Sequence, residues 1–184
     1  MHKIVIFGAP GVGKGTQSQL LSEKLNLYHL STGEVLRKAI SDETDLGLKA
    51  KKIVESGHLV SDDLMIEIVV DALKNNVKGT EGFILDGFPR TIEQAGALDN
   101  ILKELGLDDL KVLHLVANDD EIIKRLMLRG RTDDNAETIK LRLKVYIDST
   151  KPILEYYKPD RKIIEVNGIG EIEDVFNKIV SYLQ

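Results

Sequence analysis

The chain has 184 residues, 42% apolar and 30% charged, which suits one α/β domain with a sizeable core and excludes wholesale disorder. A net charge of −5 argues against a general nucleic-acid binder, and no apolar run approaches the ~18 residues of a membrane span. With no cysteine, disulfides, thiolate catalysis and cysteine-ligated zinc are excluded, and a cytoplasmic, redox-indifferent protein is the simplest expectation.

Residues 3–7 read as a buried strand, and 16–25 as a helix with Leu20, Leu21 and Leu25 on one face. This apolar start is too short for a signal-peptide core. A short strand at 28–30 precedes three helices in a row, at 32–41, 46–56 and 62–75. Then come a strand at 82–86, a helix at 91–105, a strand at 111–117 and a helix at 119–128. The last of these carries Ile122, Ile123, Leu126 and Met127 at helical spacing. A longer helix begins near Ala136 with Ile139, Leu143, Tyr146 and Ile147 on its face, and Pro152 should bend or break it. A final strand at 162–166 leads into a helix with Ile172, Val175, Phe176, Ile179, Val180 and Leu183.

Five strands separated by helices imply an α/β fold, a parallel sheet with helices on both faces. Residues 32–75 break the alternation and read as a helical insertion within one domain spanning 1–184. No internal repeat, low-complexity tract or linker marks a second domain.

The strongest chemical signal is Gly8-Ala9-Pro10-Gly11-Val12-Gly13-Lys14-Gly15-Thr16, set between a strand and a helix. Glycines let backbone N–H groups turn around phosphate oxygens, and the helix N-terminus adds a positive dipole end. A plain glycine turn with a surface lysine is the bland alternative, and the strand–helix context disfavours it. A dinucleotide fingerprint is weaker still, because Thr16 sits where the third glycine belongs. Gly15 separates Lys14 from Thr16, so this hydroxyl departs from the usual magnesium-ligating position.

Seven arginines stand against eighteen lysines, and six of the seven, Arg37, Arg90, Arg125, Arg129, Arg131 and Arg142, fall in a few short segments. Arginine's planar fork grips phosphate oxygens in pairs, whereas lysine acts as a point charge. Taken singly, each could be a salt-bridged surface residue; Arg161, outside every motif, is expected to be plain surface. Asp86 ends an apolar strand; a carboxylate there either caps the next turn or faces a ligand, and orienting magnesium's waters is the favoured role. The four histidines lack metal-ligand spacing, Lys49, Lys51 and Lys52 read as a solvated helix face, and Tyr156 and Tyr157 read as packing residues.

The phosphate loop, Leu30-Ser31-Thr32-Gly33-Glu34-Val35-Leu36-Arg37, Asp86-Gly87-Phe88-Pro89-Arg90 with Gln94, and Arg125-x-x-x-Arg129-Gly130-Arg131-Thr132-Asp133-Asp134 with Arg142 together resemble the adenylate kinases of the short-lid type. The resemblance runs over essentially the whole chain. It implies a P-loop kinase that transfers phosphoryl reversibly from Mg-ATP to AMP, giving two ADP and serving adenine nucleotide homeostasis. Residues 31–60 would be the acceptor-binding segment, and Gly130, Arg131, Thr132, Asp133, Asp134, Asn135 and Ala136 a very short lid.

By the same resemblance, Gly11, Val12, Gly13, Lys14, Gly15, Thr16, Arg129 and Gly170 contact ATP. Thr32, Arg37, His58, Leu59, Val60, Gly87, Phe88, Pro89, Arg90, Gln94, Arg131 and Arg142 surround AMP. The catalytic set is Lys14, Asp86, Arg90, Arg125, Arg129, Arg131 and Arg142. Magnesium enters with ATP, held by phosphate and water without a direct protein ligand, and no zinc is expected. The partners are ATP, AMP and ADP, with no nucleic acid or membrane, and the chain is expected to be a monomer. A pyrimidine nucleoside monophosphate kinase is the nearest rival, which Thr32 and Gln94 disfavour. A nucleotide switch without turnover is disfavoured by the second arginine set and by the lack of an Asn-Lys-x-Asp motif.

Overall fold

Alternation along the first strand, β1 (His2–Phe7), sends Ile4 and Ile6 to one side of a sheet and Val5 and Phe7 to the other, and both sets are buried. That pattern requires cover on both faces. The computed structural model, which describes residues 1–107, 109–131 and 135–183, supplies it. Around β1 are β2 (Tyr28–Ser31), β3 (Gly82–Asp86), β4 (Lys111–Val116) and β5 (Ile163–Asn167), in the order β2-β3-β1-β4-β5. All pairings are parallel, with Ile4 opposite Ile84 and Lys111, Leu30 opposite Leu85, and Leu113 opposite Ile164.

One face is covered by α1 (Lys14–Leu25) and α9 (Ile172–Leu183), whose Leu21, Val175, Ile179 and Leu183 close over Ile4, Ile6 and Ile84. The other is covered by α4 (Asp62–Asn76), α5 (Ile92–Glu104) and α8 (Pro152–Tyr157). Val69, Leu73, Leu98, Leu102, Ile153 and Tyr157 pack there against Val5, Phe83 and Leu85. Parallel strands put every β-to-α loop at the same carboxyl edge, where open α/β sheets bind ligands.

The helical insertion begins with α2 (Thr32–Ser41) and α3 (Asp45–Glu55), joined by a short turn. Thr44 closes it: its hydroxyl accepts from Gly47 N–H at 3.1 Å and donates to the Ala39 carbonyl at 3.2 Å. A Cβ on Gly47 would collide with that same carbonyl, so glycine is what lets the two helices meet. The remaining helices are α6 (Asp119–Arg129) and α7 (Ala136–Val145).

The structure corrects several expectations. The α-helix is interrupted before Pro152, as expected, but by a change of helix type that begins six residues upstream. A wide π turn, Tyr146–Thr150, follows α7, with Lys151 N–H donating to Tyr146 O at 2.8 Å, and α8 starts at Pro152. The wider turn takes in one extra residue and shifts the hydrogen-bond register by one just before the proline, and a proline opening a helix loses no bond that its missing N–H would have made. Ile123, Met127 and Ile147, expected on apolar faces, are 45%, 63% and 57% exposed. Only the stripe Ile122–Leu126 finds neighbours, packing with Ile139 beneath the loop after β1. Arg161 is no bland surface residue either. Its guanidinium lies 2.9 Å from Asp99 and 4.7 Å over the ring of buried Tyr157, tying α5 to the segment before β5. Lys49, Lys51 and Lys52 are exposed as expected.

Candidate functional site

The loop between β1 and α1 is built from backbone that only glycine adopts readily. Gly8, Gly11 and Gly13 have φ of 148°, 86° and 104°. A Cβ on Gly11 would stand 2.7 Å from Leu126, so α6 packs directly against the loop. Gly13 caps α1 without a side chain, which leaves the helix N-terminus open to an anion. The Lys14 ammonium donates to the carbonyls of Gly8 at 2.8 Å and Ala9 at 3.0 Å. Burial pulls its pKa down to about 8, with Arg90 and Arg129 adding to the effect and Asp86 opposing it. Asp86 stands over the loop: a Cβ on Gly15 would lie 3.5 Å from its Oδ2.

The cleft at this edge has a volume of about 680 Å³. Its lining brings together the predicted Gly11, Val12, Gly13, Lys14, Gly15, Thr16 and Gly170. Thr32, Arg37, His58, Leu59, Val60, Gly87, Pro89 and Gln94 line the same cleft, as do Asp86, Arg90, Arg125, Arg129, Arg131 and Arg142. Phe88 does not join them. Its ring is 1% exposed and belongs to the core under the sheet, so what it can offer here is backbone. Thr132, Asp133 and Asp134 of the predicted lid lie outside the described residues.

Several of these side chains are already fixed by the protein. Thr32 Oγ1 donates to Gly87 O at 2.9 Å, and Arg90 Nε donates to the same carbonyl at 2.8 Å. Gly87 has φ 83°, and a Cβ there would sit 2.8 Å from the Thr32 hydroxyl and 2.9 Å from Arg90. Burial lowers the Arg90 pKa, with Asp86 opposing and Arg142 adding, though a guanidinium stays charged throughout. Arg125 bonds Glu121 at 2.6 Å, Gly168 O at 2.9 Å and Val12 O at 3.3 Å, bracing α6 against the phosphate loop. Arg142 reaches Val54 O at 3.4 Å, linking α7 to α3.

Gln94, a predicted site residue, is held in place, while Tyr146 on the cleft wall and His114 behind it were not legible as site residues. Gln94 is 2% exposed and its amide is held by Asp62 and by the Arg90 backbone. Tyr146 lines the cleft from the π turn, and its hydroxyl lies 3.1 Å from His114 Nε2. His114 Nδ1 in turn lies 3.2 Å from Glu165. An ionised carboxylate only accepts, so Nδ1 carries the proton and Nε2 accepts from Tyr146. Burial and Glu165 push the Tyr146 pKa up to about 12, which keeps that hydroxyl a donor. The nearest signal in the sequence was a histidine within an otherwise apolar strand.

Among the described residues no group of three or more His, Asp or Glu side chains is placed to hold a metal ion. A single carboxylate beside a phosphate loop suits a hard cation that keeps phosphate and water as its ligands. Also among the described residues, no helix is long and apolar enough to cross a membrane.

Comparison with known proteins gives one consistent answer. A family model described as adenylate kinase matches residues 6–162. An adenylate kinase of Azobacteroides pseudotrichonymphae is 49% identical over 184 residues, covering 98% of this chain and 96% of that protein. Another from Parabacteroides distasonis is 47% identical over 183 residues, 97% and 96% of the two chains. One from Leptospira biflexa is 44% identical over 184 residues, 98% of each. With a phosphate loop, an arginine-lined cleft and kinship along nearly its full length, the chain belongs to the adenylate kinase family.

Proposed function

We propose that the cleft holds its two nucleotides end to end, ATP against residues 11–16 and Gly170, and AMP against Thr32, Arg37, residues 58–60 and Gln94. The reaction is the family's own, phosphoryl transfer from ATP to AMP to give two ADP. The observation that carries the assignment is the gathering of Lys14 and six arginines around one cleft. A one-nucleotide switch has no use for the second region.

The chemistry needs no general base. The second pKa of a phosphate monoester is near ~6, so AMP is mostly a dianion at neutral pH and is already nucleophilic. The obstacle is repulsion between two polyanions, and charge spreads over the equatorial oxygens in the transition state. Positioning and fixed positive charge therefore do most of the catalysis. Lys14 and Arg129 serve the ATP phosphates, while Arg90, Arg131 and Arg142 serve the AMP side. Arg125, held by Glu121 and two loop carbonyls, positions the loop as well as adding charge. Magnesium, arriving with ATP, neutralises polyphosphate charge, and Asp86 would hold its waters. Residues 31–60 act as the acceptor segment and 130–136 as a short lid within a single domain, and the protein works as a cytoplasmic monomer.

The test is an acceptor panel: the protein with Mg-ATP and AMP, CMP, UMP or GMP, with nucleoside diphosphates quantified. AMP should lead by tenfold or more, since a buried polar group left unpaired by the wrong base costs ~1–3 kcal/mol. Comparable kcat/KM for CMP and AMP would overturn the acceptor assignment.

A further inference from the structure

An amide side chain read alone cannot tell one base edge from its inverse, because rotating it by half a turn exchanges its N–H donors for its acceptor. Gln94 lacks that freedom. Its Nε2 donates to Asp62 Oδ1 at 2.7 Å, and its Oε1 accepts from the Arg90 backbone N–H at 2.8 Å. The carboxylate can only accept and the backbone N–H can only donate, so the two partners permit one orientation. Turning the amide over would set oxygen against a carboxylate and N–H against N–H, in a place where Gln94 is 2% exposed. Asp62 is itself held, its Oδ2 accepting from Thr91 Oγ1 at 3.0 Å, while Thr91 Oγ1 accepts from Gln94 N–H at 3.2 Å. Backbone and side chain of Gln94 are thus locked through one small ring of contacts.

We infer that Asp62 is a specificity-determining positioning residue, which fixes the Gln94 amide so that it accepts 6-aminopurine and rejects 6-oxopurine acceptors. The inference rests on the assignment of this wall to AMP. After its two internal bonds the amide retains one N–H and one oxygen lone pair. Their order is set, with the acceptor at the Arg90 end and the donor at the Asp62 end. Adenine presents an exocyclic N–H beside a ring acceptor. Hypoxanthine has the same shape with both signs reversed, so in the same pose it meets acceptor with acceptor and donor with donor. Asp62 supplies the charged, and hence stronger, of the two bonds that forbid the compensating flip. It need not touch the nucleotide.

IMP is the sharp probe, since it differs from AMP only at this edge. Wild-type protein, D62N, Q94A and the D62N/Q94A double variant are assayed with Mg-ATP and either AMP or IMP. The near-isosteric D62N supplies a donor as well as an acceptor, so it removes the charged one of the two constraints on the amide and leaves only the Arg90 N–H to oppose the flip. The wild-type AMP:IMP ratio of kcat/KM should be high, and in D62N it should fall by about tenfold. KM for ATP should not move. In the Q94A background D62N should leave the ratio unchanged, because Asp62 acts only through the amide. A purely structural role would depress both acceptors together. Should D62N fold poorly, D62A with the same ratio serves, since it removes the pin without offering a donor. A high wild-type ratio that both Asp62 variants preserve overturns the inference alone. A wild-type ratio near one, with AMP still turned over, overturns the placement of Gln94 against the purine edge and the inference with it; no turnover of AMP would overturn the AMP assignment itself.

Discussion

The Lys14 ammonium lies 2.8 Å from the carbonyl oxygen of Gly8, the residue that follows β1, so the loop's only cation is held by the loop's own backbone. A carbonyl dipole is a poorer partner than phosphate, and the group is buried beside Arg90 and Arg129, which together bring its pKa to about 8. As pH rises through that value the free protein loses this charge, and a bound polyphosphate restores it. ATP binding at pH 8.5 should therefore take up a fraction of a proton, while binding at pH 7 should take up almost none. Calorimetry in buffers of different ionisation enthalpy measures this directly, and ATP itself is fully ionised at the higher pH. Identical heats in all buffers at pH 8.5, or the same uptake in Lys14→Gln, would rule out Lys14 as the source.

His114 gives a second titration of opposite reach. Burial lowers its pKa below 6.5, and the Glu165 hydrogen bond only partly offsets this. A histidine kept neutral in the fold contributes stability that is complete above the unfolded value, and that is lost as pH falls from 6.5 through the lower folded value. Thermal midpoints of wild type and His114→Gln should thus differ more at pH 7.5 than at pH 5. Parallel melting curves across that range would mean that His114 is not held neutral. Tyr146→Phe, which removes the donor to Nε2, should weaken the same slope.

The physical range of each signal explains what the sequence showed. The phosphate loop was legible because strand, glycines, lysine and helix are contiguous, and each demands the next. The α6 stripe was half legible: spacing placed Ile122, Ile123, Leu126 and Met127 on a helix, but periodicity does not say whether a second stripe meets a neighbour. At Pro152 the rule about a missing N–H held. What it could not convey is that a π turn upstream removes the conflict before the proline is reached. Gln94 was found, and Asp62, 32 residues away, was not, because a contact between two helix starts leaves no local pattern. Arg161 was misread for the same reason: its partners Asp99 and Tyr157 come from different helices.

Those contacts give a substitution at Arg161 a cost in stability. Arg161→Ala removes a partly buried ion pair and a cation–π contact, and also releases Asp99, which accepts from Tyr156 at 2.9 Å. Together these are worth about 1–2 kcal/mol. For a domain of this size that is a drop of roughly 2–8 °C in Tm. The residue is remote from the cleft wall, so kcat and both KM values should stay within twofold. A variant that melts like wild type would return Arg161 to the solvated surface, and one that loses activity at unchanged Tm would give it a role in the site.

Arg131 is the stricter test of how the cleft works. It stands on the wall next to Gly130, whose φ of 65° ends α6 and turns the chain. Arg131→Lys keeps the charge and removes the planar fork, separating geometry from neutralisation. If the fork grips phosphoryl oxygens only once both nucleotides are enclosed, its interaction is stronger in the transition state than in the ground state. The loss then appears in kcat and not in ATP affinity. Removing a well-placed donor from developing oxyanions costs ~2.7–4 kcal/mol in comparable sites, or about a hundred- to a thousandfold in kcat. ATP binding, measured by calorimetry without AMP, should stay within threefold. Full turnover in Arg131→Lys would make charge alone sufficient at this position, and the lid would then need some other group to hold the phosphoryl in line.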